Sequence, residues 1–413
     1  MTADGGTRVA STSTPSDRGG RPLLTVLTAV GIMLVAANLR PVVVAVAPLI
    51  DEISAEEGFT SATAGLLTTL PVLFFGLSAP VAPRLAARFG IERTIFAALL
   101  VLIVGTLLRL IPGAPALFAG SAVIGAAIGV CNVVLPALIK RDFAHRSGLM
   151  TGLYSMTLSG GAAVAAAITV PVDTALDENW RLTLGSWAVL TAITVIVWAP
   201  QVTRHRPETA VTVGSLRRNP IAWAITAFMG AQSLVFYTFT AWLPAFLMSE
   251  GYSRATAGNV LAVGQVVALL ASLIIPIIAG RFTDQRGITF LVIAVCGIGL
   301  VGLLTVDHAA ALWVSLVMFG PGASISLALL FMVLRSSSPA QTGQVSGMAQ
   351  FVGYVLAAVG PIAVGALHDS TGSWTVALSV LAVPLVLQAA STALAARNVK
   401  MDRADSRRHV TRG

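Results

Sequence analysis

Twelve apolar stretches, each long enough to cross a bilayer and separated by short polar breaks, constrain this 413-residue chain more than any other feature. They cover 23–50, 59–82, 94–112, 115–139, 147–171 and 180–200, then 220–248, 255–279, 288–306, 309–334, 343–367 and 374–396. About 20 helical residues, rising about 1.5 Å each, cross the hydrocarbon. The expected fold is therefore an all-α membrane protein with twelve transmembrane helices. Composition agrees: 56% of residues are hydrophobic and 11% charged, against about 25% charged in soluble domains.

The sequence pI of about 10.4 could suggest a nucleic-acid partner, but the placement of the basic residues decides against one. Alternate loops and both termini hold 22 of the 26 lysines and arginines, among them Arg84, Arg88, Arg93, Lys140, Arg141, Arg281, Arg286 and Arg335. The opposite side holds Arg109, Arg181 and Arg254 together with the acidic residues Asp51, Glu52, Glu56 and Glu57. By the positive-inside bias both termini are expected in the cytoplasm, and the positive charge is expected to meet anionic lipid head groups. The setting implied is a bacterial inner membrane. A monomer is expected.

Residues 1–21 read as a disordered, solvated tail rather than a signal peptide, because the apolar run that follows is too long for a signal h-region. The basic, polar stretch 201–219 divides the spans six and six, giving bundles over 22–200 and 220–396 and a basic tail over 397–413. An internal repeat supports this division. Gly125, Lys140, Gly148 and Gly152 recur as Gly320, Arg335, Gly343 and Gly347, each pair 195 positions apart. Parallel six-helix repeats are a transporter architecture, with the substrate site near the midplane between the halves.

The first span carries an arginine. In Ala37-Asn38-Leu39-Arg40-Pro41, Arg40 lies roughly 25 Å from one end of its apolar run and 15 Å from the other. A cation at that depth costs at least about 2.5 kcal/mol and usually faces a bundle interior or an aqueous cavity. No Asp or Glu falls well inside a span to neutralise it. A planar guanidinium offers charge-assisted, bidentate hydrogen bonds, so an anion or a strongly polarised solute would satisfy it. Matching Pro48 to Pro244 puts Phe236, beside Tyr237, opposite Arg40 in the second half. Asn38, Asn132, Tyr154, Trp242, Gln265 and Gln350 are the remaining midspan candidates for binding substrate. Asn38 points about 200° from Arg40 on an ideal helix, which favours helix packing. Arg109, near the end of span three, is expected to anchor at the membrane interface.

Other chemistry is missing. There is no G-x-x-x-x-G-K-[ST] loop and no soluble domain for ATP, so transport would be secondary. The five histidines lie in loops, tails or span ends, and no arrangement of Ser, His and Cys suggests catalysis. Cys131 and Cys296 are expected as buried free thiols, with no metal site and no cofactor.

Two loops resemble the G-x-x-x-D-R-x-G-R-R motif of the major facilitator superfamily. Residues 82–93 keep Arg88 and Gly90 but have Ala87 where the aspartate belongs; residues 280–287 keep Gly280, Asp284, Arg286 and Gly287. In that family the loop forms a charge relay that steadies one state of the cycle, so the resemblance implies gating by these residues, more so in the second half. Within the superfamily the chain resembles the cyanate-permease branch, which includes 2-nitroimidazole transporters. Asn38-Leu39-Arg40-Pro41, Leu135-Pro136-Ala137-Leu138-Ile139-Lys140-Arg141 and Ala241-Trp242-Leu243-Pro244-Ala245-Phe246 carry that resemblance. It implies the major facilitator fold and uniport, exchange or proton-linked symport of a small anion or polar planar solute by rocking of the halves about Arg40. Proton-coupled drug efflux and a non-transporting solute sensor are the alternatives, the first requiring a buried carboxylate.

Overall fold

The computed structural model describes residues 20–203, 216–306 and 308–402. The N-terminal tail before Gly20, the middle of the 201–219 connection and the C-terminal tail beyond Asp402 lie outside the described residues. Within them the chain is helical, with no strand. Side-chain caps set several helix starts. Thr60 receives Thr63 N, Asn219 receives Ile221 N and Ala222 N, Ser253 receives Thr256 N, and Ser338 receives Gln341 N. Each satisfies backbone donors that the first turn leaves open.

The first span is not one helix. It runs as α1 (Gly20–Asn38), α2 (Pro41–Val44), a 3-10 turn over Ala47–Leu49 and α3 (Ile50–Glu57). Pro41 and Pro48 each lack the N–H that would continue the ladder, which accounts for the two interruptions. Span two is α4 (Ser61–Ser78), and the stretch 82–93, read from sequence as a loop, begins with a further helix, α5 (Ala82–Phe89). α4 and α5 meet at a 54° bend around Pro80. Gly90, at φ +87°, then turns the chain into α6 (Ile91–Leu108).

The first bundle is completed by α7 (Ala114–Asp142), α8 (Ser147–Ala175) and α9 (Trp180–Val202). The second comprises α10 (Pro220–Ser249), α11 (Arg254–Ala279), α12 (Arg286–Thr305), α13 (Ala310–Arg335), α14 (Pro339–Thr371), α15 (Trp374–Ser379) and α16 (Ala382–Ala395). Among the described residues eleven helical stretches are long and apolar enough to span, the broken first span counted as one, or twelve with α4 and α5 taken together. α7, α10 and α13 are buried along most of their length, whereas Ile196, Ile362 and Val386 stand among the most exposed apolar side chains. The latter belong on the lipid-facing surface, because lipid solvates an apolar side chain at no cost.

The bundles meet at the end that carries the basic loops. An added Cβ on Gly148 of α8 would lie 2.5 Å from Pro276 O, and one on Gly152 2.7 Å from Leu273 O, both in α11. On the other side, a Cβ on Gly347 of α14 would lie 2.7 Å from Ala79 O, and Gly343 faces Pro83 and Ala137 at 3.9 Å. The two glycine pairs of the sequence repeat are thus the two cross-bundle seams. Towards the acidic end the seams stop: Gly160 and Gly258 have nothing within 4 Å. The close backbone contacts between the bundles are therefore those at the basic end.

Candidate functional site

Arg40 sits at the break between α1 and α2, as the N-cap residue of α2 with φ −111°. Broken helices carry side chains and backbone groups to the centre of a bundle, where they are tolerated only against protein or a cavity. Arg40 is partly accessible there, and its Nη1 donates to the Tyr237 hydroxyl of α10 at 3.1 Å. Tyr154 of α8 and Tyr354 of α14 interact electrostatically with the same guanidinium. Among the described residues no carboxylate is within ion-pair distance of it.

A second polar group links the bundles beside it. The Tyr154 hydroxyl donates to Asn132 Oδ1 at 3.1 Å, and Gln350 Nε2 donates to the Asn132 carbonyl at 2.9 Å and to Ser346 Oγ at 2.8 Å. Asn132 Nδ2, Thr151 Oγ1 and Ser155 Oγ are buried without a hydrogen-bond partner. Buried polar atoms are seldom left so.

Of the candidates named from sequence, Arg40 and Tyr237 meet directly, as do Asn132, Tyr154 and Gln350. Phe236 stacks edge-on against Tyr237 with ring centroids 5.3 Å apart. Gln265 lies on α11 eight residues before Leu273, about 12 Å along the axis, on the stretch beyond the seam. Two candidates are engaged elsewhere. Asn38 donates to Thr194 Oγ1 at 2.7 Å and receives Thr191 Oγ1 at 2.8 Å, which fastens α1 to α9. Trp242 donates to Pro361 O at 2.8 Å and packs on Trp374 near the acidic end. Tyr354 was missed from sequence, although it follows Gln350 by one helical turn on the same face, a spacing that pairs side chains. Phe75 supports it edge-on, with centroids 5.5 Å apart.

Arg109 corrects an expectation. Instead of reaching the membrane interface it is fully buried, donating to Val42 O at 2.7 Å and to Ser121 Oγ at 2.9 and 3.2 Å. Cys131 and Cys296 are buried free thiols.

At the basic end, Arg286 donates through Nε to Asp284 at 3.0 and 3.1 Å and pairs through Nη2 at 2.8 Å. These hydrogen bonds hold the Asp284 carboxyl below the usual carboxylate range. Gly280 lies against Gly148, and Gly287 has open space. In the first half, Arg88 stands over the Phe89 ring at 5.2 Å, and Gly90 supplies the turn described above.

Two helical bundles around a central polar cluster, the first span being broken at Arg40, define the architecture of an α-helical membrane transporter. The sequence profile of the Major Facilitator Superfamily matches residues 23–361, and the chain belongs to that family. It is 42% identical over 365 residues to the 2-nitroimidazole transporter of Escherichia coli K12, covering 87% of this chain and 92% of the relative. It is 30% identical over 348 residues to the cyanate transport protein CynX of the same organism, covering 83% and 90%. Among solved structures, FucP in the outward conformation superposes with TM-score 0.67 at 14% identity, covering 89% of this chain and 98% of that one. The proton:xylose symporter XylE superposes with TM-score 0.69 at 12% identity, covering 93% and 98%. The chain is a multi-pass cell-membrane transporter of a small molecule rather than an enzyme.

Proposed function

We propose that this transporter carries a small anion or a strongly polarised planar solute by alternating access around Arg40. The observation that carries the reading is a central guanidinium with no carboxylate beside it among the described residues, hydrogen-bonded to a neutral phenol. A negatively charged or strongly dipolar solute completes its shell, because a buried cation is costly until it is paired. Tyr237, Tyr354 and Phe236 form an aromatic wall suited to a flat solute. Asn132 Nδ2 supplies an unused donor for the solute's acceptor atoms, and Gln265 lines the approach. The 2-nitroimidazole and cyanate transporters among the relatives fit this chemistry, both named ligands being small and polar.

With the basic loops in the cytoplasm, the conformation described is outward-open. The cycle then requires the glycine seams of α8 with α11 and α4 with α14 to part as the acidic end closes. In that scheme Asp284 and Arg286, next to Gly280 at one seam, set the stability of the closed basic end. Efflux driven by a buried carboxylate finds less support: Glu92 and Asp173, the buried acids of the first bundle, lie at span ends, on Arg141 and Thr183 respectively.

Cyanate and 2-nitroimidazole are the probes of choice. In proteoliposomes the wild-type protein is expected to accelerate uptake of at least one, and each bound probe should raise the unfolding temperature of the purified protein. Neither flux nor stabilisation with any small anion or nitroheterocycle would overturn the reading.

A further inference from the structure

The break that presents Arg40 leaves a backbone acceptor unused. In an uninterrupted helix Val42 O would receive Val46 N–H; instead Val46 N turns to Val43 O at 3.4 Å. Val42 O, two residues from Arg40, is taken by Arg109 Nη1 at 2.7 Å. Arg109 ends α6 and is 0% exposed. Its Nε and Nη2 both donate to Ser121 Oγ of α7, at 3.2 and 2.9 Å, and Ser121 in turn donates to Leu117 O at 2.8 Å. The close approach of α6 and α7 that this needs is provided by Gly120, where a Cβ would stand 2.6 Å from Gly105 O and 3.0 Å from Arg109 Cγ.

Among the described residues no carboxylate pairs with this guanidinium either. A cation that served only to anchor the span would extend its long stem towards the headgroups; Arg109 instead points inward and divides a rigid fork of donors between two helices. Lysine has no such fork, and glutamine has neither the reach nor the charge.

We infer that Arg109 is the positioning residue for Arg40. By holding Val42 O against α6 and α7, it fixes the four-residue helix Pro41–Val44 and, through it, the direction in which Arg40 faces Tyr237. The inference rests on the reading that Arg40 meets the transported solute.

The test uses the full-length protein in nanodiscs, with cyanate and 2-nitroimidazole as probes and binding read from thermal stabilisation. Arg109→Gln is expected to weaken probe binding at least tenfold. Arg109→Lys, which restores one donor to Val42 O, should recover part of that loss. Ser121→Ala is expected to weaken binding about threefold, and it keeps the inference testable if Arg109→Gln does not fold. In an Arg40→Lys background, Arg109→Gln should add less than a twofold loss, because its effect passes through residue 40. A full tenfold loss in that background, marking an independent structural or electrostatic role, overturns the inference. So does wild-type binding by both Arg109→Gln and Ser121→Ala while Arg40→Ala fails to bind. Wild-type binding by Arg40→Ala instead overturns the transport reading and the inference with it. Without any probe, hydrogen exchange over residues 40–46 should accelerate at least tenfold in Arg109→Gln or, more weakly, in Ser121→Ala; unchanged exchange in the folded variants overturns the inference.

Discussion

The two bundles share a repeat but divide the chemistry. The first supplies the positive charge at the centre, with Arg40 at the broken span and Arg109 behind it. The second answers with neutral groups: Phe236, Tyr237, Gln350 and Tyr354. At the basic ends the same division appears in another form. In the first bundle Arg141 of α7 pairs with the buried Glu92 of α6 at 2.6 Å, and Trp198 of α9 donates to the Glu92 carbonyl at 3.0 Å. In the second bundle Arg335 of α13 makes its tie through neutral acceptors, donating to the Gln285 side chain, to Ala395 O at 3.1 Å and to Ala396 O at 2.7 Å. Arg335 thus joins α13 to the start of α12 and the end of α16, whereas Arg141 joins α7 to α6 and Trp198 brings in α9 through the Glu92 carbonyl. Arg335 is the repeat partner of Lys140, so the two ties lie one position apart in the repeat and differ in chemistry, one closed by a carboxylate and the other by neutral groups.

The largest expected break in this asymmetry is Arg40→Ala. It should abolish probe-dependent flux, more than 100-fold, while leaving the protein inserted and folded; normal uptake by that variant would remove the charged wall from the mechanism. Gly148→Val comes next. Its side chain cannot fit 2.5 Å from a backbone carbonyl, so the closed basic end should be lost and transport should fall by at least about tenfold, seen as thiol-reagent access to cysteines placed along the α8–α11 seam. A variant that still closes there would show that the seam can shift.

The third test compares the two ties. Arg141→Gln should destabilise the protein by about 3 kcal/mol, because Glu92 is left buried and unpaired. Arg335→Gln should cost less, about 1 to 3 kcal/mol, because only neutral acceptors are orphaned. Thermal unfolding in detergent measures both, and the reverse order would contradict the division of chemistry proposed above. Tyr237→Phe is a smaller change at the site itself: losing one hydrogen bond to a cation, worth about 1.5 kcal/mol, should weaken probe binding about tenfold, and an unchanged affinity would take Tyr237 out of the second bundle's wall.

The smallest effect expected is that of pH on Asp284. Its carboxyl is held below the ordinary value by Arg286, so the pair contributes fully above about pH 4 and its contribution disappears as pH falls through the lowered value. Because the pair is exposed and screened by solvent, the change should be small. Asp284→Asn should remove that acid-side dependence and slow turnover more than it weakens binding; turnover equal to wild type would leave the loop no part in gating.

Much of this was legible in particular residues. The glycine pairs 195 apart were visible as a repeat before their partners were known, and Arg40 was visible as a cation too deep to be idle. Asn132, Tyr154 and Gln350 could be named one by one, since a polar residue in the middle of an apolar helix stands out. Their junction could not, because the contacts join residues 22 and 218 positions apart. Asn38 and Trp242 show the converse: each is polar and close to the centre in sequence, yet each bonds within its own bundle.

The sequence by itself determined that this chain spans a membrane many times, in two related halves, with alternate loops basic and Arg40 deep in an apolar run. Those features follow from the cost of exposing apolar surface to water and charge to hydrocarbon, which is paid residue by residue and can be read locally. Only the tertiary structure decided that the first span is broken at Arg40, that Arg109 turns inward to hold the broken piece, that α5 is a helix, and at which end the bundles make close backbone contacts. Those depend on which carbonyls are left without donors and which backbones approach within a few ångströms, and neither is settled until helices distant in sequence are packed together.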